Sequence, residues 1–160
     1  MNEIPDFEAL GHTAIGEELS INECKVLAGI MKVRHLKEGE RLIREKGAEH
    51  TLFVLFEGEL AVISQQDEKE LVVYTMKPGE VAGTRAFVDR SPRKATLQAM
   101  SDSIVYTLEP YDFESLLDNQ PRILYKVMRS LFRLTHSNLL RMNRESEQLS
   151  NYISRSHGRY

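Results

Sequence analysis

A single cysteine, Cys24, stands among 160 residues, and tryptophan is absent. One cysteine closes no internal bridge, which excludes a disulfide scaffold and points to a reducing compartment. No run of eighteen apolar residues occurs, so no segment reads as a membrane-spanning helix. The opening Met-Asn-Glu-Ile-Pro-Asp carries neither the basic nor the apolar region of a secretory signal. A cytoplasmic protein with no membrane partner is expected. The five histidines (His12, His35, His50, His136 and His157) are scattered without ligand spacing, so neither a metal centre nor an obligatory cofactor is expected. Nucleophile motifs and Walker-type loops are missing as well, and an enzyme is not expected.

What is present describes one globular domain. Hydrophobic residues make up 41% of the chain and charged residues 28%. A chain of this length buries roughly two-thirds of the surface its unfolded form exposes, enough to fold without staples. The net charge of −3 conceals a split. Residues 1–121 carry 13 Lys+Arg against 22 Asp+Glu (net −9), and residues 122–160 carry 8 against 2 (net +6). A basic C-terminal stretch can meet nucleic acid or an acidic partner, or be a helix whose outer face arginines solvate.

Residues 1–19 hold Pro5, Gly11 and Gly16 and read as loop with a short helix at most. Ser20 followed by Glu23 is a capping-box pattern, and Ile21, Cys24, Leu27, Ile30 and Met31 recur at helical spacing, predicting a helix over about 20–32. From Val33 the texture becomes that of short strands. The runs are Val33–Leu36, Arg41–Ile43, Thr51–Phe56, Glu59–Ser64, Leu71–Met76, Ala95–Ala99 and Ile104–Leu108, punctuated by Gly39, Gly47, Gly58, Gly79 and Gly83. Gln65 to Glu70 is wholly polar and fits a hairpin tip. A β-sandwich or barrel is predicted over about 33–108.

Pro110 opens a short helix, and Asn119-Gln-Pro121 breaks it and starts a long one. The domain is expected to span 1–145, with helices over about 110–145 and a flexible basic tail over 146–160. Within the long helix Leu124, Val127, Leu131, Leu134 and Asn138 step by three and four, a heptad seam along which two copies are expected to dimerise.

Three stretches together give the sequence a family likeness. The first is Leu36-Lys-Glu-Gly39-Glu40-Arg-Leu-Ile43 with Gly47 after it, and the second is Leu52-Phe-Val-Leu-Phe-Glu-Gly58-Glu-Leu-Ala-Val62. The third is Ala82-Gly-Thr-Arg-Ala-Phe-Val-Asp-Arg-Ser-Pro-Arg-Lys-Ala-Thr-Leu97. In this order they resemble the cyclic-nucleotide-binding domains of catabolite activator protein and of protein kinase A regulatory subunits. The third aligns without gaps to that family's phosphate-binding cassette, F-G-E-L-A-L-x-x-x-x-P-R-A-A-T-V. The likeness spans about residues 20–140. It implies a mainly β fold with flanking helices: a double-stranded β-helix, or cupin-like jelly roll, with an N-terminal helix, a short cassette helix and a long C-terminal helix.

The resemblance assigns the phosphate of a cyclic nucleotide, cAMP or cGMP, to Arg93. Gly83, Ala86, Lys94 and Ala95 would supply backbone donors or close approach. At the position after the cassette glycine the family usually has a glutamate for the ribose 2′-hydroxyl, and here it is Thr84. Glu80 does not rescue that role, because it lies 13 residues before Arg93 where the family interval is nine; Thr84 keeps the nine, and Glu80 matches an upstream turn. A neutral acceptor in place of a charged one lowers affinity by about tenfold. Lys94 and Arg85 make the cassette more cationic than usual, which suits a more highly charged phosphate ligand or marks a degenerate site. Asn138 is a candidate for contact with the base and equally a seam asparagine that fixes dimer register.

The transcriptional members of the family carry a helix-turn-helix after the long helix. The stretch that follows here is too short for one, so sequence-specific DNA binding is not expected of this chain. Arg155, His157 and Arg159 leave only electrostatic contact with nucleic acid open. Two functions remain: a sensor that relays ligand binding through its C-terminal helix, or a degenerate domain serving as a dimerisation or protein-interaction module for an unknown partner.

Overall fold

The computed structural model describes residues 3–157. In chain order these form α1 (Phe7–Leu10), α2 (Ile21–Gly29), β1 (Lys32–Leu36), β2 (Arg41–Ile43), β3 (Leu52–Glu57), β4 (Leu60–Gln66) and β5 (Lys69–Met76). There follow β6 (Val81–Ala82), α3 (Thr84–Asp89), β7 (Thr96–Ala99), β8 (Ser103–Leu108), α4 (Pro110–Glu114), α5 (Leu116–Asn119) and α6 (Pro121–His157). The capping box opens α2: Ser20 Oγ accepts from Glu23 N at 3.2 Å, and Glu23 Oε1 accepts from Ser20 N at 2.9 Å.

The strands make two four-stranded antiparallel sheets, in the orders β1-β8-β3-β6 and β2-β7-β4-β5. Alternation along β3 shows how they stack. Phe53 and Leu55 join Leu36, Leu42, Leu60, Met76, Leu97 and Val105 in a core between the sheets. Leu52 and Val54 point the other way, with Tyr106 and Leu108, into a second core closed by Leu27, Phe87, Phe113, Ile123, Val127 and Leu131. The middle of the first sheet, β3 and β8, is therefore buried on both faces, between the second sheet and the helices, while β1 is largely exposed at its edge.

Corner geometry follows the sequence. Gly58 has φ +100°, and an added Cβ there would sit 2.7 Å from the Asp102 carbonyl oxygen. Asp67 and Glu68, at the polar tip, both have positive φ and close the β4–β5 hairpin in two residues.

Two expectations about the long helix are corrected. The seam Leu124–Asn138 is not a free surface: Val127 and Leu131 are buried in the helix-side core and Leu124 packs against it. The sheet below offers them a broad apolar face within the same chain. The row one residue further round, with Tyr125 at 62%, Phe132 at 71% and Leu139 at 54% relative exposure, is the one left open. The tail is also different: helix continues through residues 146–157. No Pro or Gly interrupts the chain between Pro121 and Gly158, and Ser, Asn and His cost a helix only a few tenths of a kcal/mol each. Residues 158–160, Arg159 among them, lie outside the described residues, as do the side chains of Arg155 and His157. Near its start α6 is pinned to α2 by Lys126–Glu23 at 2.7 Å, and to the turn before α2 by Arg129–Glu18 at 3.9 Å and Arg133–Glu18. Among the described residues no helix is long and apolar enough to cross a membrane.

Candidate ligand-binding site

The segment from Val81 to Thr96 leaves one sheet and returns in the other, and α3 interrupts it. Gly83 precedes the helix at φ +86°, and Arg90 ends it at φ +56°. Phe87 anchors α3 in the helix-side core, its ring 5.2 Å from that of Phe113. The return leg is fixed through Arg93, whose backbone N donates to Gly47 O at 3.1 Å and whose carbonyl accepts from Lys46 N at 2.8 Å.

These constraints drive the Arg93 side chain inward, to 4% exposure. Nη2 donates to the Thr51 carbonyl at 2.7 Å, and Cζ lies 5.3 Å from the centre of the Phe53 ring. Nε and Nη1 are buried and have no hydrogen-bond partner, and among the described residues no carboxylate lies within ion-pair distance of the guanidinium. Burial lowers the guanidinium's pKa below its ordinary value, against an opposing pull from Glu49 and Glu109. Each idle charged donor in such a place costs about 1–3 kcal/mol or more. The arrangement is that of an anion site: an acceptor oxygen beside Gly83 would satisfy donors the protein leaves open. Gly83 must lack a side chain there, since a Cβ would fall 2.6 Å from Arg93 Nη1 and 2.9 Å from the Thr51 oxygen.

Beside the guanidinium is a cavity of about 450 Å³. The sequence-derived residues Gly83, Thr84, Ala86, Arg93, Lys94 and Ala95 all line it, and Asn138 reaches it from α6. Thr84 is the first residue of α3, and Asn138 is exposed at the cavity's edge.

Sequence reasoning missed three further members. Glu80 is a turn residue as expected, since one carboxylate oxygen accepts from Lys77 N at 3.3 Å, but the same side chain also lines the cavity. Its other oxygen accepts from Tyr74 Oη at 2.7 Å, and this bond, with burial second, raises the phenol's pKa. Arg141 stands over the Tyr74 ring, Cζ 5.8 Å from its centre. The signals were slight: Tyr74 shares a face of its strand with Met76, and Arg141 follows Asn138 by three on a helix. Among the described residues no group of His, Cys, Asp or Glu is placed to hold a metal ion.

Comparison with known proteins agrees with this architecture. The family profile described as cyclic nucleotide-binding domain matches residues 33–120, more than half of the sequence. The chain belongs to the cyclic nucleotide-binding domain family. Among solved structures it is similar to a cyclic nucleotide-binding domain from Methylobacillus flagellatus, with TM-score 0.79 and 18% identity over 88% of this chain and 84% of that one. It is also similar to the regulatory domain of Toxoplasma gondii protein kinase A bound to cAMP, with TM-score 0.62 and 24% identity over 68% of this chain and 42% of that one. A lysophospholipase NTE1 from Eremothecium gossypii is 28% identical over 110 residues. That match covers 68% of this chain but only 7% of the lysophospholipase.

Proposed function

We propose that this domain is a regulatory sensor: a cyclic nucleotide of the cAMP or cGMP kind binds in the cavity, and occupancy is relayed through α6. The phosphate is taken by Arg93, with backbone donors around Gly83, Ala86, Lys94 and Ala95. The sugar lies beside Thr84 and the base meets Asn138. One observation carries the reading, the buried guanidinium of Arg93 with two idle donors, on a residue that lines the cavity. The cAMP complex of the Toxoplasma gondii relative supports the ligand class. The relay is supported by Leu134, Asn138 and Arg141, which put α6 in the cavity wall, so that a ligand touching them favours one packing of the helix over another.

The two strand orders also support the jelly-roll form, and the single buried Cys24 fits a reducing cytoplasm. Calorimetric titration with cAMP and cGMP tests the proposal. Saturable binding that Arg93→Ala abolishes sustains it, and silence from a folded protein with an empty cavity overturns it in favour of an interaction module. Dimerisation through α6 belongs to either reading. The open row Tyr125, Phe132, Leu139 and Met142 supports it, and not the buried row predicted from sequence.

A further inference from the structure

Resting on that sensor reading, the geometry points to a ligand that carries two phosphate groups: one at Arg93, the second at the cavity mouth between Arg85 and Lys94 on the cassette side and Arg141 on α6. The argument is one of charge that the fold leaves uncompensated. Four cations line the cavity, Arg85, Arg93, Lys94 and Arg141, against one carboxylate, Glu80. Glu80 is already engaged by the Tyr74 hydroxyl and the Lys77 amide.

Outside the cavity Arg41, Arg90, Lys126, Arg129 and Arg133 each meet a glutamate, and the other described lysines and arginines form no ion pair. Among the described residues no carboxylate lies within ion-pair distance of any of the four cavity cations. A single phosphodiester brings one negative charge, which Arg93 alone balances. A nucleotide with a second phosphate brings further negative charge to the three mouth cations, in a cavity of about 450 Å³, within the ordinary range of ligand sites.

The mouth cations are exposed, so the advantage is screened by salt and comes to about tenfold in affinity at low ionic strength. It also gives the second phosphate a mechanical role. Arg85 and Lys94 stand on the cassette and Arg141 on α6, so an anion held among them ties the two elements together.

The test is titration of the full chain with cAMP, cGMP, cyclic di-AMP, cyclic di-GMP and ADP, at about 50 mM and about 300 mM salt. At least one two-phosphate probe is expected to bind about tenfold more tightly than either cyclic monophosphate, with the margin shrinking at the higher salt. A cyclic dinucleotide in that position and ADP in that position identify different sources of the same chemistry. The Arg85→Gln/Arg141→Gln protein, altered only at exposed side chains and checked by thermal melting, is expected to lose the margin. A cyclic monophosphate that binds as tightly as every two-phosphate probe overturns the inference and leaves the sensor reading standing. A margin that survives in the double variant overturns the mouth subsite. Silence from every probe overturns the sensor reading and this inference together.

Discussion

Replacing Arg93 with methionine separates a residue kept for a ligand from one kept for the fold. Methionine preserves much of the apolar stem and removes the charge. The ligand-free protein then loses the Nη2 bond to Thr51, worth about 1 kcal/mol, and the contact with Phe53, worth about 1 kcal/mol. It also leaves the Thr51 carbonyl without that donor, at about 1–3 kcal/mol. Against this, two buried charged N–H groups are no longer left unsatisfied, a relief of about 1–3 kcal/mol each. The two sides match to within about 2 kcal/mol, so the ligand-free variant should unfold at nearly the wild-type urea concentration or slightly above it. An arginine holding a buried charge network together behaves otherwise, since breaking such a network costs about 3–5 kcal/mol. The assay is equilibrium urea unfolding of both proteins, with and without cAMP or whichever nucleotide titrates. At about a hundredfold excess over Kd the wild type should gain about 2.7 kcal/mol, and Arg93→Met nothing. A ligand-free variant destabilised by about 3 kcal/mol or more refutes the reasoning.

Gly83→Ala places a Cβ 2.6 Å from Arg93 Nη1 at φ +86°; strain of about 1–2 kcal/mol and weakened nucleotide binding are expected, and unchanged affinity on titration would count against Gly83 as the close-approach position. The Glu23 carboxyl is held below its ordinary pKa by the Lys126 ammonium first and the Ser20 amide second. A depressed carboxylate contributes stability that is present above its unfolded pKa and lost as pH falls through the folded one, here below the ordinary glutamate range. In urea unfolding the wild type should therefore lose about 1 kcal/mol relative to Glu23→Gln on acidification, and a constant difference between them argues against the clasp. Phe132→Glu, at a position 71% exposed on α6, should turn a dimer into a folded monomer by light scattering, whereas Val127→Glu, at a buried one, should unfold it; a wild-type monomer at micromolar concentration removes the α6 interface.

The features written locally in the sequence were the legible ones. Period-two alternation and turn residues gave seven of the eight strands to within about two residues, and Ser20 with Glu23 gave the start of α2. β6, only Val81 and Ala82, is too short for any periodicity to register. The cassette could be read because one contiguous stretch contains most of it, and Asn138 because it lies on a regular helix. Glu80, Tyr74 and Arg141 could not, since what brings them together is the pairing of β4 with β5 and the approach of α6 to the cavity wall.

The two rows on α6 mark the limit most clearly. Leu124, Val127, Leu131, Leu134 and Asn138 step by three and four, and so do Tyr125, Met128, Phe132, Thr135 and Leu139. They differ by one residue, about 100° around the helix axis. Both rows are apolar enough to be a seam, and periodicity alone gives no reason to prefer one. The choice is made by what lies beneath: Leu52, Val54, Tyr106 and Leu108 present an apolar sheet face that takes Val127 and Leu131 completely. Where that face ends, the same row meets the cavity instead, which is why Leu134 and Asn138 belong to the site and not to the core. A helix row thus changes from core to site along its length with no change in its pattern, so the pattern could place Asn138 on the correct row while misjudging what that row faces.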